Sequence, residues 1–257
     1  MQETLLVCSR STKKYLPEYS RTFVVTGAAT KEILDLEGSE ASVVAIGGGA
    51  VIDTAKIISK NPITCYPTTA AGSSNTSHSV YWDGTRKLSI KRQVPKGVYV
   101  VEDFIRDLPP TVKENTMYDV LSHCLDSMWS VNKTRESTKL AEQALDILKQ
   151  NYTNSELVEA GNIAGTAIEI CPTTVLHSLS YPITAFYNIS HGRALGYLLP
   201  RVCDYMNFDF SEYNKYPPVD LPAMDYFLIA NNALKYNKIH DTMKKINVDT
   251  LIGILSS

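Results

Sequence analysis

The 257-residue chain is long enough to bury a full core, and its 44% hydrophobic and 20% charged content is that of a soluble globular protein. A formal net charge of −2, with no basic run, argues against a nucleic-acid surface. No apolar segment is long enough to span a bilayer, the N-terminus has no leader-like apolar stretch, and the five cysteines (8, 65, 124, 171 and 203) include no CxxC pair. The expectation is a reduced, cytoplasmic protein with no nucleic-acid or membrane partner.

Residues 22–26 (TFVVT) are a short β-branched run before Gly27 and read as a buried strand entering a tight loop. Residues 41–46 (ASVVAI) read as a second strand, ending on Gly47, Gly48 and Gly49. Apolar residues then recur at Val51, Ile52, Ala55, Ile57 and Ile58, a helical spacing. Strand, glycine turn and helix in that order are half of a parallel βαβ unit. A third strand near 63–66 leads into PTTAAGSSNTS (67–77), a polar loop without periodicity. Asp83-Gly84 lies between two alternating runs and predicts a hairpin. Residues 97–101 read as a further strand.

After Pro109-Pro110 the 3.6-residue period takes over. Helices are expected over 111–130, 135–150, 155–170, 173–185 and 192–207, with one or two more in the tail. The predicted organisation is therefore an α/β half over 1–108 followed by an all-helical half over 109–257.

Two stretches carry candidate chemistry. Three successive glycines let a backbone approach a pyrophosphate, and the following helix directs its amides and positive dipole end at it. On spacing alone this is equally a structural turn. Asp119 and His123, four apart, share one helical face, and His177 and His191 follow on later segments. One oxygen and three neutral nitrogens suit a divalent first-row metal such as iron or zinc. The bland alternatives are an ordinary helix surface for the first pair, a core histidine for His177 and a helix cap for His191. His78 and His240 have no evident partner, and Trp129 reads as core.

Taken together and in order, GGGAVIDTAK (47–56) and the Asp/His and His/His pairs resemble the iron-dependent (group III) alcohol dehydrogenase family, over about residues 43–200. The resemblance implies a Rossmann-like parallel-sheet domain followed by a helical metal-binding domain, the dehydroquinate synthase-like architecture. It implies NAD or NADP as cofactor, a small aldehyde or alcohol as substrate and, as metal ligands, Asp119, His123, His177 and His191. The metal would be Fe(II), with Zn(II) as the alternative, and the assembly a homodimer. Gly47, Gly48, Gly49 and Ala50 would carry the dinucleotide phosphates with Asp53 beside them. Thr68, Thr69 and Ser77 would line the dinucleotide, and Lys87 would reach it.

Departures from the family pattern are Ala50 in place of a usual serine, and Ser73 and Asn75 in the threonine loop. Tyr181 stands where many members carry a further histidine, which suggests a pocket-shaping or relay role. Only 20 residues separate Thr26 from Gly47, where the family inserts another strand and helix that often selects NAD or NADP, so that choice stays open. SYPIT (180–184), YWDGTRKLS (81–89) and MWSVNKTRES (128–137) most resemble the phosphonoacetaldehyde reductase branch, which forms 2-hydroxyethylphosphonate. Such a dianion needs cationic or helix-N-terminal donors, and Arg193, two residues after His191 at a helix start, is the candidate ahead of Arg86 and Arg135. The same chemistry on another short-chain alcohol or aldehyde, or a non-catalytic metal-binding relative, are the alternatives.

Overall fold

A computed structural model of the protein describes residues 3–13, 21–213, 215 and 217–257. The first part holds β1 (Thr4–Ser9), α1 (Arg10–Lys13), β2 (Thr22–Val25), β3 (Ser42–Gly47), α2 (Gly49–Ile58), β4 (Thr64–Pro67), β5 (His78–Asp83), β6 (Arg86–Lys91), β7 (Gly97–Val98) and α3 (Glu102–Ile105). Then come α4 (Pro110–Met128), α5 (Arg135–Lys149), α6 (Asn154–Ile170), α7 (Val175–Tyr187), α8 (His191–Met206), α9 (Tyr226–Ala233) and α10 (Val248–Ser256).

Five strands form one parallel sheet in the order β2-β1-β3-β4-β7. β1 lies inside it, pairing Leu6 with Val44 of β3 on one side and with Thr22 of β2 on the other. The TLLVCS run has no alternation because a strand between two parallel neighbours is covered on both faces. That uniformity hid it from the periodicity reading, which passed over β1. The same arrangement corrects the expectation for residues 22–26. β2 has a partner on one side only, so Phe23, Val24 and Val25 are half-buried edge residues, not core.

β5 and β6 pair antiparallel across Asp83-Gly84, with Gly84 at φ 59 as such a turn requires. β7 ends at Val98, shorter than expected. The helices fall within two residues of their expected limits because their ends carry explicit signals. Pro110 occupies the first turn of α4, and capping boxes open α5 (Thr134 with Ser137) and α6 (Thr153 with Glu156).

One apolar core lies under β1, β3, β4 and α2; the larger one is built from α4 to α10 and includes Ala70. Where the two meet, α6 presents glycine. A Cβ at Gly161 would lie 2.5 Å from the Ala70 carbonyl oxygen, and one at Gly165 only 2.3 Å from that of Gly72. The main chain of α6 therefore rests directly on the 70–72 turn. The five cysteines are unpaired and buried, and no helix among the described residues is long and apolar enough to cross a membrane.

Candidate metal centre and cofactor loop

α4 sets Asp119, His123 and, one turn on, Asp126 along one buried side. α8 crosses α4 closely because its first turns carry Gly192 and Gly196. A Cβ at Gly192 would sit 2.3 Å from the Asn115 carbonyl oxygen, and one at Gly196 would meet the Tyr118 ring at 2.6 Å. This approach brings His191, the first residue of α8, onto Asp119. The first turn of α7 delivers His177 to the same place.

The geometry is convergent. Asp119 Oδ1 lies 3.6 Å from His123 Nε2, 3.4 Å from His177 Nε2 and 3.6 Å from His191 Nε2. Ligand atoms of Asp119, His177 and His191 all lie within 4.8 Å of one another. His123 is not part of that tight set; its ring lies flat against His177, with centroids 4.7 Å apart and planes 11° from parallel. The separations exceed hydrogen-bonding distance. They match the roughly 3.4 Å between neighbouring donors that each sit about 2.1 Å from one tetrahedral ion.

Asp119 Oδ1, His177 Nε2 and His123 Nδ1 are also buried without a hydrogen-bond partner. Native interiors rarely leave such atoms orphaned unless an ion or water completes them. A divalent cation fits this donor set, with imidazole and carboxylate suiting iron or zinc.

Asp126 prepares the centre, and the sequence reading overlooked it. Its carboxylate accepts from His177 Nδ1 at 2.9 Å, from the backbone amides of Leu176 (3.0 Å) and His177 (3.1 Å), and from Thr174 Oγ1 (2.9 Å). It thereby caps α7 from outside and fixes the His177 tautomer, leaving Nε2 free to bind. Ser180 Oγ donates to the His177 carbonyl at 2.8 Å and stands 3.2 Å from His191 Nδ1 to accept from it.

Charge follows from this packing. Burial pushes His123 down to about 4, and burial with the nearby Lys87 ammonium holds His191 well below its ordinary value. Both are neutral imidazoles at pH 7. Burial alone would raise Asp119, but the imidazoles of His123, His177 and His191 outweigh it and hold the carboxyl well below the usual range.

The glycine loop lies at the carboxyl end of β3, where parallel sheets present ligand crevices. Gly48 precedes the first turn of α2, and a Cβ there would be 2.9 Å from Thr69 Oγ1. Thr68 donates its amide to the Gly47 carbonyl at 3.0 Å. Gly47 and Gly48 are thus packed against Thr68 and Thr69, with Gly49 and Ala50 opening α2.

Asp53 is buried on the same helix. It accepts from Ser73 Oγ at 2.6 Å and lies 3.5 Å from Lys56 Nζ. Lys56 also donates to the carbonyls of Ser73 (3.0 Å), Thr76 (3.2 Å) and His78. The pair clamps the 73–78 segment, and Ser73, a departure from the family pattern, is used in the clamp. Ser77 is turned away from the loop, its amide and hydroxyl bound to Glu169 of α6 at 2.8 and 2.6 Å. His78, expected to lack a partner, has Nδ1 3.7 Å from Glu169.

Lys87, on β6, has Nζ 4.7 Å from the centre of the Tyr181 ring and lies within electrostatic reach of both Asp53 and His191. The hairpin therefore spans from the candidate cofactor loop to the candidate metal ligands. Tyr181 stacks on His191 (5.8 Å, 24°) and stands edge-on to His177 (6.3 Å), so it forms a wall of the centre.

Arg193 does not face the centre. Two positions along a helix turn a side chain to the far side, and Arg193 is exposed, donating to the Asp220 carbonyl at 3.1 Å. The anion-binding role expected of it is withdrawn. Arg86 and Arg135 are also exposed. A cavity of about 740 Å³ beside Arg21, Phe23, Gly38 and Ala41 contains none of the candidate residues.

Residues 113–250 match the C-terminal model of the Fe-containing alcohol dehydrogenase family, and residues 17–109 match an iron-containing alcohol dehydrogenase model. The chain is 27% identical over 206 residues to a phosphonoacetaldehyde reductase of Streptomyces viridochromogenes, covering 63% of this chain and 52% of that protein. It is 26% identical over 205 residues to the lactaldehyde reductase of Escherichia coli K12, covering 65% and 53%. It thus spans about half the length of the curated relatives it matches. The solved sulfoacetaldehyde reductase from Bifidobacterium kashiwanohense, in complex with NAD+, matches with a TM-score of 0.81 at 19% identity, covering 100% of this chain and 90% of that one. At that identity the likeness speaks to the fold.

Proposed function

Because the chain belongs to the iron-containing alcohol dehydrogenase family, we propose that it reduces a small aldehyde to the alcohol with NADH or NADPH. A bound dihydronicotinamide would supply the hydride for the carbonyl carbon, and solvent would supply the proton for the carbonyl oxygen. The observation that carries the reading is the meeting of Asp119, His177 and His191, with His123 against them, beside a hairpin lysine that also reaches the cofactor loop.

A bound Fe(II) or Zn(II) would supply Lewis acidity at the carbonyl oxygen. The protein residues bind and orient. Backbone amides at the start of α2 would receive the dinucleotide phosphates, with the Asp53–Lys56 clamp holding the loop shape behind them. Asp126 holds His177 in its ligating tautomer. Tyr181 closes the wall next to His191 and so limits water beside the reacting carbon.

On substrate, the proposal is phosphonoacetaldehyde, giving 2-hydroxyethylphosphonate. Similarity to the phosphonoacetaldehyde reductase and the 81–89, 128–137 and 180–184 segments support it. A neutral short-chain aldehyde is the second reading, favoured by the nearly equal similarity to a lactaldehyde reductase. The five unpaired cysteines support a cytoplasmic setting.

The test is anaerobic purification, metal analysis, and NADH or NADPH oxidation with phosphonoacetaldehyde beside neutral aldehydes. One metal per chain and nucleotide oxidation dependent on aldehyde are expected. A metal-loaded protein that binds no nucleotide and reduces none of the panel would overturn the proposal.

A further inference from the structure

With Arg193 facing solvent, the candidate site needs another source of positive charge if its substrate is an anion. The structure supplies one that has no carboxylate in direct contact among the described residues. Lys238 Nζ donates to Tyr181 Oη at 2.7 Å and to Thr173 Oγ1 at 2.6 Å, and stands 4.6 Å from the Tyr181 ring centre. Lys87 Nζ approaches the same ring at 4.7 Å. Two ammonium groups, from the hairpin and from the turn after α9, thus converge on the tyrosine that walls the metal ligands.

Among the described residues, neither lysine forms an ion pair within 4.0 Å of a carboxylate. Asp126 reaches Lys238 electrostatically, but its oxygens already accept from Thr174, Leu176 and His177. Burial has lowered the Lys238 ammonium to about 8, outweighing the pull of the Asp126 carboxylate. Arg86 and Lys235 line a small cleft with Pro182, Phe186, Asn232 and Tyr236, and the Tyr236 ring meets Tyr181 edge-on at 4.9 Å. This cluster sits in a chain whose net charge is −2. A concentration of one sign beside a cleft steers and holds the opposite sign.

We propose that Lys238, with Lys87 at the same tyrosine ring, is the specificity-determining grip for the anionic end of the substrate, so that the site selects aldehydes carrying a phosphonate, sulfonate or carboxylate group. The inference rests on the aldehyde reductase reading and adds the substrate class. Lys238 Nζ spends two of its three hydrogens on Thr173 and Tyr181, which fix its direction and leave one for the ligand. The dinucleotide phosphates belong to the glycine loop, and Lys238 belongs to the metal-binding part of the chain. The anion it meets is therefore the substrate's own.

The probe is methylphosphonate, an unreactive anion, titrated by calorimetry into the metal-loaded protein, with its inhibition of neutral-aldehyde reduction measured in parallel. Methylphosphonate should bind and should compete with the aldehyde, not with NADH. Lys238→Gln should weaken its binding by roughly 10- to 100-fold, as expected for one charge-assisted hydrogen bond, and Lys238→Arg should restore most of it. The preference for an anionic over a neutral aldehyde should fall by a similar factor in Lys238→Gln.

The proposal is overturned if wild-type protein binds no methylphosphonate, if the anion competes with NADH alone, or if Lys238→Gln binds it undiminished. Should Lys238→Gln fail to fold, the wild-type competition pattern decides by itself. Anion binding without reduction of any aldehyde would sink the reductase reading and leave the grip standing. Reduction of aldehydes with no anion preference would do the reverse.

Discussion

Asp126 Oδ2 and His177 Nδ1 lie 2.9 Å apart in a fully buried contact that joins the end of α4 to the start of α7. One carboxylate both caps a helix and aims a metal ligand, so its loss should show in two separable measurements. Asp126→Asn keeps the shape but loses the charge-assisted bonds. Metal affinity should fall by roughly 10- to 100-fold by competition with a chelator. Unfolding free energy should fall by about 1–3 kcal/mol in urea titration. Unchanged metal retention would show that His177 needs no orienting partner.

Acid should weaken the metal-free protein through the same cluster. His123 is depressed to about 4 and His191 is also depressed, both by burial, whereas an unfolded histidine titrates near its ordinary value of 6.5. Between about pH 6.5 and 4 the unfolded chain binds protons that the folded chain refuses, so stability is lost as pH falls through that window. Urea midpoints at pH 7, 5.5 and 4.5, compared with those of His123→Leu, isolate the effect. The variant should show a shallower decline, and an equally steep one would contradict the assignment.

Gly165→Ala tests the contact between α6 and the 70–72 turn. The new Cβ would fall 2.3 Å from the Gly72 carbonyl oxygen, and backbone cannot yield as a flexible side chain does. A loss of about 1–3 kcal/mol is expected. NADH affinity, read by fluorescence, should weaken as well, with metal content preserved. Gly253, where a Cβ meets nothing within 4 Å, serves as the silent control.

Lys56→Met should be more severe. It strips the counter-charge from a buried Asp53 and the donor from the carbonyls of Ser73, Thr76 and His78. Removing one partner of a buried pair typically costs about 3–5 kcal/mol. Thermal unfolding should shift markedly downward, and Asp53→Asn introduced with Lys56→Met should recover part of the loss.

Arg193→Ala separates the two origins of positive charge. Its guanidinium faces the Asp220 carbonyl at the surface, so turnover with an anionic aldehyde should change by less than about twofold. A large drop in that rate would return Arg193 to the site and weaken the assignment to Lys238.

What could be read beforehand follows a physical division. Helices α4 to α8 announced themselves through apolar periodicity and through Thr134, Thr153 and Pro110 at their starts. The glycine loop and the hairpin were equally plain, because Gly47–Gly49 and Asp83-Gly84 encode their own backbone shape. β1 was hidden since a fully enclosed strand has no alternation to detect.

Within the site, Asp119, His123, His177 and His191 stood out as donors at suggestive spacings. Asp126, Lys56, Glu169 and Lys238 did not, because each acts on a group that only folding brings near. For Asp126 a clue existed, since it lies three residues beyond His123 on the same helical side. Lys238 offered none, being separated from Tyr181 by 57 positions. Arg193 misled for the opposite reason. Closeness in sequence to His191 says nothing about direction unless the helical turn between them is counted.

The glycines of α6 have one more consequence. Where main chain presses on main chain, at Ala70 against Gly161 and Gly72 against Gly165, there are no rotamers to exchange. Such a seam resists sliding, which in packed helices proceeds by many small side-chain adjustments. The 70–72 turn is therefore held at one place on α6, and the segment that follows it is anchored to the helical part.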